Sequence, residues 1–209
     1  MHDYYAARAA EYDRVYLKPE RQADLRAIEQ WLPERLRGRQ VLEVACGTGW
    51  WTQFIAPQCR SVVAVDAAPQ TLEIARRRVT ADHVLWLQGD AYALPVALRS
   101  FDAAFAGFWW SHVPRARIDT FLQGLHAALQ PGARVVFLDN RFVQGSSTPI
   151  SDTDAQGDTW QTRRLADGSE HRVLKNFPGE QQLREALALH ATDVRYRQWD
   201  HYWAVEYTV

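Results

Sequence analysis

The run VLEVACGTG, residues 41–49, carries an apolar stretch into a turn with two glycines, and the next apolar run ends at Asp66, nineteen residues after Gly47. Gly47 and Gly49 have no Cβ, so backbone N–H groups in this turn can approach a ligand closely. A carboxylate at Asp66 can accept from both hydroxyls of a ribose, and its spacing suits a ribose-binding acid. Asp90 closes a third apolar run, in LQGDAYALP. Glu43 fits poorly beside a pyrophosphate and better beside a cationic ligand, such as one with an amino group and a sulfonium. The dinucleotide pattern G-x-G-x-x-G needs glycine at position 52, where this chain has Thr52, after the bulky pair Trp50–Trp51. A nicotinamide-dependent oxidoreductase is therefore the disfavoured rival. Taken singly, Glu43 also reads as a cap on a facing helix, and Asp66 and Asp90 as strand-end turn residues.

These residues require a scaffold that brings strand ends together. Apolar runs at residues 40–45, 61–65, 83–87, 101–105 and 133–138 read as buried strands. Between them, residues 50–56, 69–79 and 118–129 read as helices, and Pro131–Gly132 as a turn before the fifth strand. Strand alternating with helix predicts a doubly wound α/β fold with a mostly parallel sheet. Two helices are expected to precede it. One spans residues 4–16 with an aromatic stripe at Tyr5, Tyr12 and Tyr16, and the other runs from Pro19 to Leu32, where Pro33 ends it. Residues 141–178 break the rhythm: two strand-like runs flank Asp167–Gly168, an antiparallel hairpin signal. A helix at 180–190 and one or two strands from Asp193 to Val209 close the chain.

VLEVACGTG resembles the first motif of class I S-adenosylmethionine-dependent methyltransferases, with Glu43, Ala45, Gly47 and Gly49 in register. Ala45 stands where glycine is commoner. VVAVDAAPQTLEIAR is similar to the second motif, LQGDAYALP to the third and FDAAFAGFWWSHV to the fourth; YYAARAAEYD is more loosely similar to the lid helix of such enzymes. The resemblance implies a seven-stranded sheet with its last strand antiparallel. It implies S-adenosylmethionine as cofactor, with Asp66 on the ribose, Ala67 beside the adenine, Asp90 on the adenine amino group and Ala91 against the ring. Tyr5, Arg8 and Tyr12 would belong to the lid, and Phe108 and Trp109 to the methyl-transfer channel. The expected organisation is one domain over 1–209: a helical lid (1–35), a cofactor core (40–140), a substrate cap (141–178) and closing elements (180–209).

The expected function is methyl transfer to a small molecule through an O, N or S atom. A non-catalytic S-adenosylmethionine-binding regulator is the alternative from another class. His112, after the fourth strand, is the candidate general base, since its ordinary pKa suits proton transfer near neutrality. The competing reading is that it caps the following helix or bonds to the lid. On the hairpin, alternation puts Trp160, Thr162 and Arg164 on one face and Arg163 on the other, so Trp160 and Arg164 would hold a small aromatic or carboxylate-bearing acceptor. No metal ligands are assigned.

The net charge of −1 argues weakly against nucleic acid as a partner, and no D/N-P-P-Y/F run or Pro-Cys pair points to base methylation. No apolar stretch reaches the roughly 18–20 residues that span a bilayer. The polar, aromatic start is unlike a signal peptide, and Cys46 and Cys59 are expected to be free thiols, which predicts a cytoplasmic monomer or homodimer. Nine tryptophans are unusual; packing is the first reading of any one of them, and Trp109–Trp110 is the candidate pocket wall for a flat or apolar ligand.

Overall fold

The computed structural model describes residues 9–165 and 167–209, with side chains from Asp13 onward. Ten strands are described: β1 Gln40–Val44, β2 Ser61–Asp66, β3 Val84–Gln88, β4 Phe101–Gly107, β5 Leu129–Asn140, β6 Asp152–Thr153, β7 Thr159–Arg164, β8 Glu170–Leu174, β9 Thr192–Gln198 and β10 Tyr202–Thr208. Five α-helices accompany them: α1 Gln22–Leu36, α2 Thr52–Ile55, α3 Pro69–Arg78, α4 Ile118–Ala127 and α5 Glu180–Leu187.

Seven strands form one sheet in the order β3-β2-β1-β4-β5-β10-β9. The first five are mutually parallel, and β10 runs antiparallel to both its neighbours. This is the class I methyltransferase fold, as the resemblance implies. The order reverses between β1 and β4, which makes their carboxyl ends the switch point where such sheets bind ligands. One face is covered by α1, α2 and α3, with Leu25, Ile28, Leu32, Ile55 and Leu72 in its core. The other is covered by α4 and α5, through Phe121, Leu122, Leu125, Leu183 and Leu187. Burial on both faces explains why β1 and β4 read as nearly unbroken apolar runs.

Three local expectations are corrected. Residues 9–16 form a 3-10 helix rather than an α-helix. Pro33 does not end the second helix: α1 runs on to Leu36, because Leu32 and Leu36 are both fully buried against the sheet. Packing there outweighs the roughly 3 kcal/mol that an internal proline costs. Pro131–Gly132 does not precede the fifth strand but lies inside β5, as an irregularity where the register shifts between Phe101 and Ala103 on β4.

The segment from 141 to 178 forms a separate antiparallel sheet in the order β6-β7-β8. The β7–β8 loop is closed by the Leu165 N–H donating to the Ser169 carbonyl at 2.9 Å, with Gly168 at φ 88°. That angle suits glycine and ordinary L-residues poorly.

Candidate functional site

Two cavities open at the carboxyl edge of the sheet. The first, about 280 Å³, lies over the ends of β1, β2 and β3. The chain leaves β1 through a turn with Ala45 at φ 55° and Gly47 at φ 56°. Asp66 braces this turn from the end of β2. Its Oδ2 accepts the Gly47 N–H at 2.8 Å, and its Oδ1 accepts the Ala68 N–H at 2.9 Å and the Thr71 hydroxyl at 3.0 Å. An ionised carboxylate offers about four acceptor positions, so Asp66 retains capacity for a further donor. Asp66, Ala67, Asp90 and Ala91 all line this cavity, as does Gly47. Asp90 accepts the Tyr92 N–H at 2.9 Å, which shapes the far wall.

Glu43 and Gly49 are not among the residues lining either cavity. Glu43 is fully buried beneath the turn, where the Thr52 hydroxyl donates to its Oε2 at 2.7 Å. Burial pushes its carboxyl up to about 8, with the Asp66 charge adding in the same direction. A Cβ on Gly49 would come within 3.1 Å of the Ala75 Cβ, so this glycine lets α3 close against the turn.

The second cavity, about 340 Å³, lies between residues 14–21, the loop after β5 and the small sheet. Phe108 and His112 line both cavities. Phe108 has φ 60° and is held between the rings of Tyr16 and Tyr202, each with its centroid 5.7 Å away. His112 lies on the 3-10 turn Trp110–His112 and is buried. Its Nδ1 is 2.6 Å from the Leu174 carbonyl oxygen, not on the helix that follows Pro114. Next to it, a buried network joins the core to the exit of the small sheet. Lys175 donates to Asp139 Oδ1 at 3.0 Å and to the Ser111 hydroxyl at 2.5 Å, while the Ser111 N–H donates to Asp139 Oδ2 at 2.9 Å.

The hairpin buries the face opposite to the one expected, while Thr162 and Arg164 of the expected face line the second cavity beside Arg163. Gln161 and Val173 are buried on the inner side, and Gln161 accepts from Arg163 at 2.7 Å. Trp160 lines neither cavity: its indole N–H donates to Asp154 at 3.0 Å, and the Arg172 guanidinium covers its ring at 3.9 Å. Arg164 reaches the second cavity from its exposed rim, and Arg163 also lines it. Trp109 lines the first cavity rather than the second. Tyr5 and Arg8 lie outside the described residues, and Tyr12 falls in the 3-10 helix with its side chain outside the description. Sequence reasoning missed the latch on that helix: Asp13 accepts the Thr48 hydroxyl at 2.7 Å and pairs with Arg78, which also donates to the Thr48 carbonyl at 2.8 Å. It also missed Lys18, Arg21 and Lys175 on the second cavity.

Residues 41–132 match a family model described as a methyltransferase domain. A solved structure, the DhpI–SAH complex, superposes with a TM-score of 0.80 at 28% identity, covering 98% of this chain and 93% of that one. The chain belongs to the class I S-adenosylmethionine-dependent methyltransferases. A DhpI–SAM–HEP complex matches equally, again with a TM-score of 0.80. Among curated relatives, a malonyl-[acyl-carrier protein] O-methyltransferase of Serratia marcescens is 30% identical over 154 residues, 72% of this chain and 52% of that protein. A 2-phytyl-1,4-naphtoquinone methyltransferase of Thermosynechococcus vestitus is 36% identical over 123 residues, 56% of this chain and 52% of that protein. This methyltransferase thus spans about half the length of the curated relatives it matches.

The first cavity fits the family's cofactor. Two acids stand at the ends of adjacent strands, and the turn at Gly47 leaves the backbone open. The Tyr92 hydroxyl and the Trp109 indole N–H, both on this wall, are buried without a hydrogen-bond partner among the described residues. Among the described residues of this methyltransferase, no helix is long and apolar enough to cross a membrane, and no cluster of three or more His, Cys, Asp or Glu side chains is placed to hold a metal ion.

Proposed function

We propose that this methyltransferase passes the methyl group of S-adenosylmethionine to a small molecule held in the second cavity. The observation that carries this reading is the sharing of Phe108 and His112 by the two cavities, so that ligands in both would meet there. The cofactor supplies a methyl group already activated on a sulfonium. What the chain must add is alignment and exclusion of water. Asp66 would hold the ribose hydroxyls, and Asp90 with Ala91 the adenine. Phe108, fixed by its two stacked neighbours, would form the wall through which the acceptor approaches. The Nε2 atom of His112 would take a proton or a hydrogen bond from the acceptor atom. In this reading, residues 141–178 are the substrate cap and the segment before α1 is the lid of a single catalytic domain, α1 itself belonging to the core layer on the sheet.

The test is incubation with methyl-labelled S-adenosylmethionine and a panel of small acids, phosphorylated compounds and heteroaromatics, followed by mass analysis. Label appearing in a small molecule, with stoichiometric S-adenosylhomocysteine, is the expected result. Tight cofactor binding with no transfer to any member would favour the non-catalytic binder instead.

A further inference from the structure

The second cavity has a one-sided charge. Six of its lining residues are cationic: Arg14, Lys18, Arg21, Arg163, Arg164 and Lys175. Among the described residues, no aspartate or glutamate lines it. The cations come from opposing walls, three from residues 14–21 and three from the small sheet and its exit. Arg21 and Lys175 are buried, which ordinary solvated arginines and lysines are not. Arg21 is held in place by the Asn140 amide oxygen at 2.7 Å and the Ser146 hydroxyl at 2.9 Å, both neutral partners. Asp139 is paired with Lys175 from behind the wall and is itself fully buried.

We infer that the acceptor is anchored in this cavity through a compact oxyanion of two negative charges, a phosphoryl-type group, gripped between Arg21 on one wall and Lys175 and Arg163 on the other. This rests on the methyl-transfer reading only for the word acceptor; the anion site stands on the cavity itself. A planar carboxylate offers only two oxygens and one charge to the two walls. A tetrahedral group with three terminal oxygens can accept from both walls at once, and guanidinium forks match such oxygens in pairs. Crowding among the cations supports the same view. Lys175 is pushed down to about 8, chiefly by burial, with Arg163 and Arg21 adding to the effect against Asp139. Lys18 is lowered by burial and by Arg21, with the Glu20 carboxylate acting in the opposite direction. A dianion between them relieves that repulsion.

The site is tested with inorganic phosphate as the probe, followed by calorimetry and by phosphorus NMR, on the full chain with and without saturating S-adenosylhomocysteine. Phosphate should bind at one site, and acetate about tenfold more weakly or worse. Arg163→Gln should weaken phosphate by about tenfold or more while leaving S-adenosylhomocysteine affinity and the unfolding temperature close to wild type. Arg164→Gln, at the exposed rim, should have a smaller effect. Should Arg163→Gln fold poorly, Lys18→Gln provides the same readout from the opposite wall. Equal affinity for acetate and phosphate, or phosphate binding unchanged in both variants, overturns the inference. Failure of S-adenosylhomocysteine to bind, with phosphate bound as described, would instead overturn the methyl-transfer reading and leave the anion site standing.

Discussion

The Nδ1 atom of His112 lies 2.6 Å from the carbonyl oxygen of Leu174. A carbonyl only accepts, so Nδ1 carries the proton and Nε2 is the accepting nitrogen of the neutral ring. The bond crosses from the turn after β4 to the end of β8, so the core and the small sheet fix this ring together. Asp139, Ser111 and Lys175 reinforce the same junction one residue away on each strand of contact.

That geometry predicts a split between turnover and binding. His112→Ala should lower kcat by about a hundredfold or more if Nε2 takes the acceptor's proton. Affinity for S-adenosylhomocysteine should stay within about threefold of wild type, because the ring does not carry the adenosine. Single-turnover rates and calorimetry on the same preparation check this. Unchanged turnover per folded molecule would reduce the imidazole to a packing role.

Ala45 occupies a left-handed conformation, φ 55°, that costs an L-residue about 1–2 kcal/mol. Glycine there removes the strain but adds unfolded-state freedom worth about 0.4–1 kcal/mol. Ala45→Gly should therefore stabilise the chain by roughly 0.5–1 kcal/mol, seen as a Tm higher by a few degrees. A lower Tm would show that the alanine methyl contributes packing that outweighs the strain.

Glu43 gives stability a pH dependence. Its carboxyl rises from an ordinary 4.5 to about 8 on folding, mainly through burial. Between those values the folded chain holds a proton that the unfolded chain has released, so stability falls as pH rises across that window. The contribution is complete below about 4.5 and lost as pH passes about 8. Glu43→Gln should flatten this slope, and its stability relative to wild type should grow from pH 5 to pH 8 by on the order of a few kcal/mol. Urea unfolding at the two pH values measures it, and parallel slopes for both proteins would mean that Glu43 stays ionised beneath the turn.

Much of this arrangement is legible in the chain because it is local. The glycine turn, Asp66 and Asp90 each stand at the carboxyl end of a strand, so their order along the sequence is their order along the sheet edge. The hairpin turn at Asp167–Gly168 is equally local. The inward face of that hairpin was not legible, because strand alternation fixes which residues share a face and not which face meets the core. Burial of Gln161 and Val173 decides it, and Trp160 turns outward onto Arg172. The continuation of α1 through Pro33 depends on tertiary packing in the same way. The basic cavity gave no spacing signal at all. Arg21 and Lys175 lie more than a hundred positions apart, and only the closure of the small sheet over residues 14–21 brings them to one cavity.

The account stands most directly on the first cavity and on Asp66, which the fold presents at the end of β2 with acceptor capacity to spare. The deciding measurement is calorimetric titration of S-adenosylhomocysteine into wild type and Asp66→Ala, with circular dichroism showing that the variant is folded. A charge-assisted hydrogen bond is worth about 1.5–3 kcal/mol, so the variant should bind about tenfold or more weakly than a wild type that binds one ligand per chain. Equal affinity in the two folded proteins, or no binding to wild type, would contradict the assignment of this cavity to the cofactor.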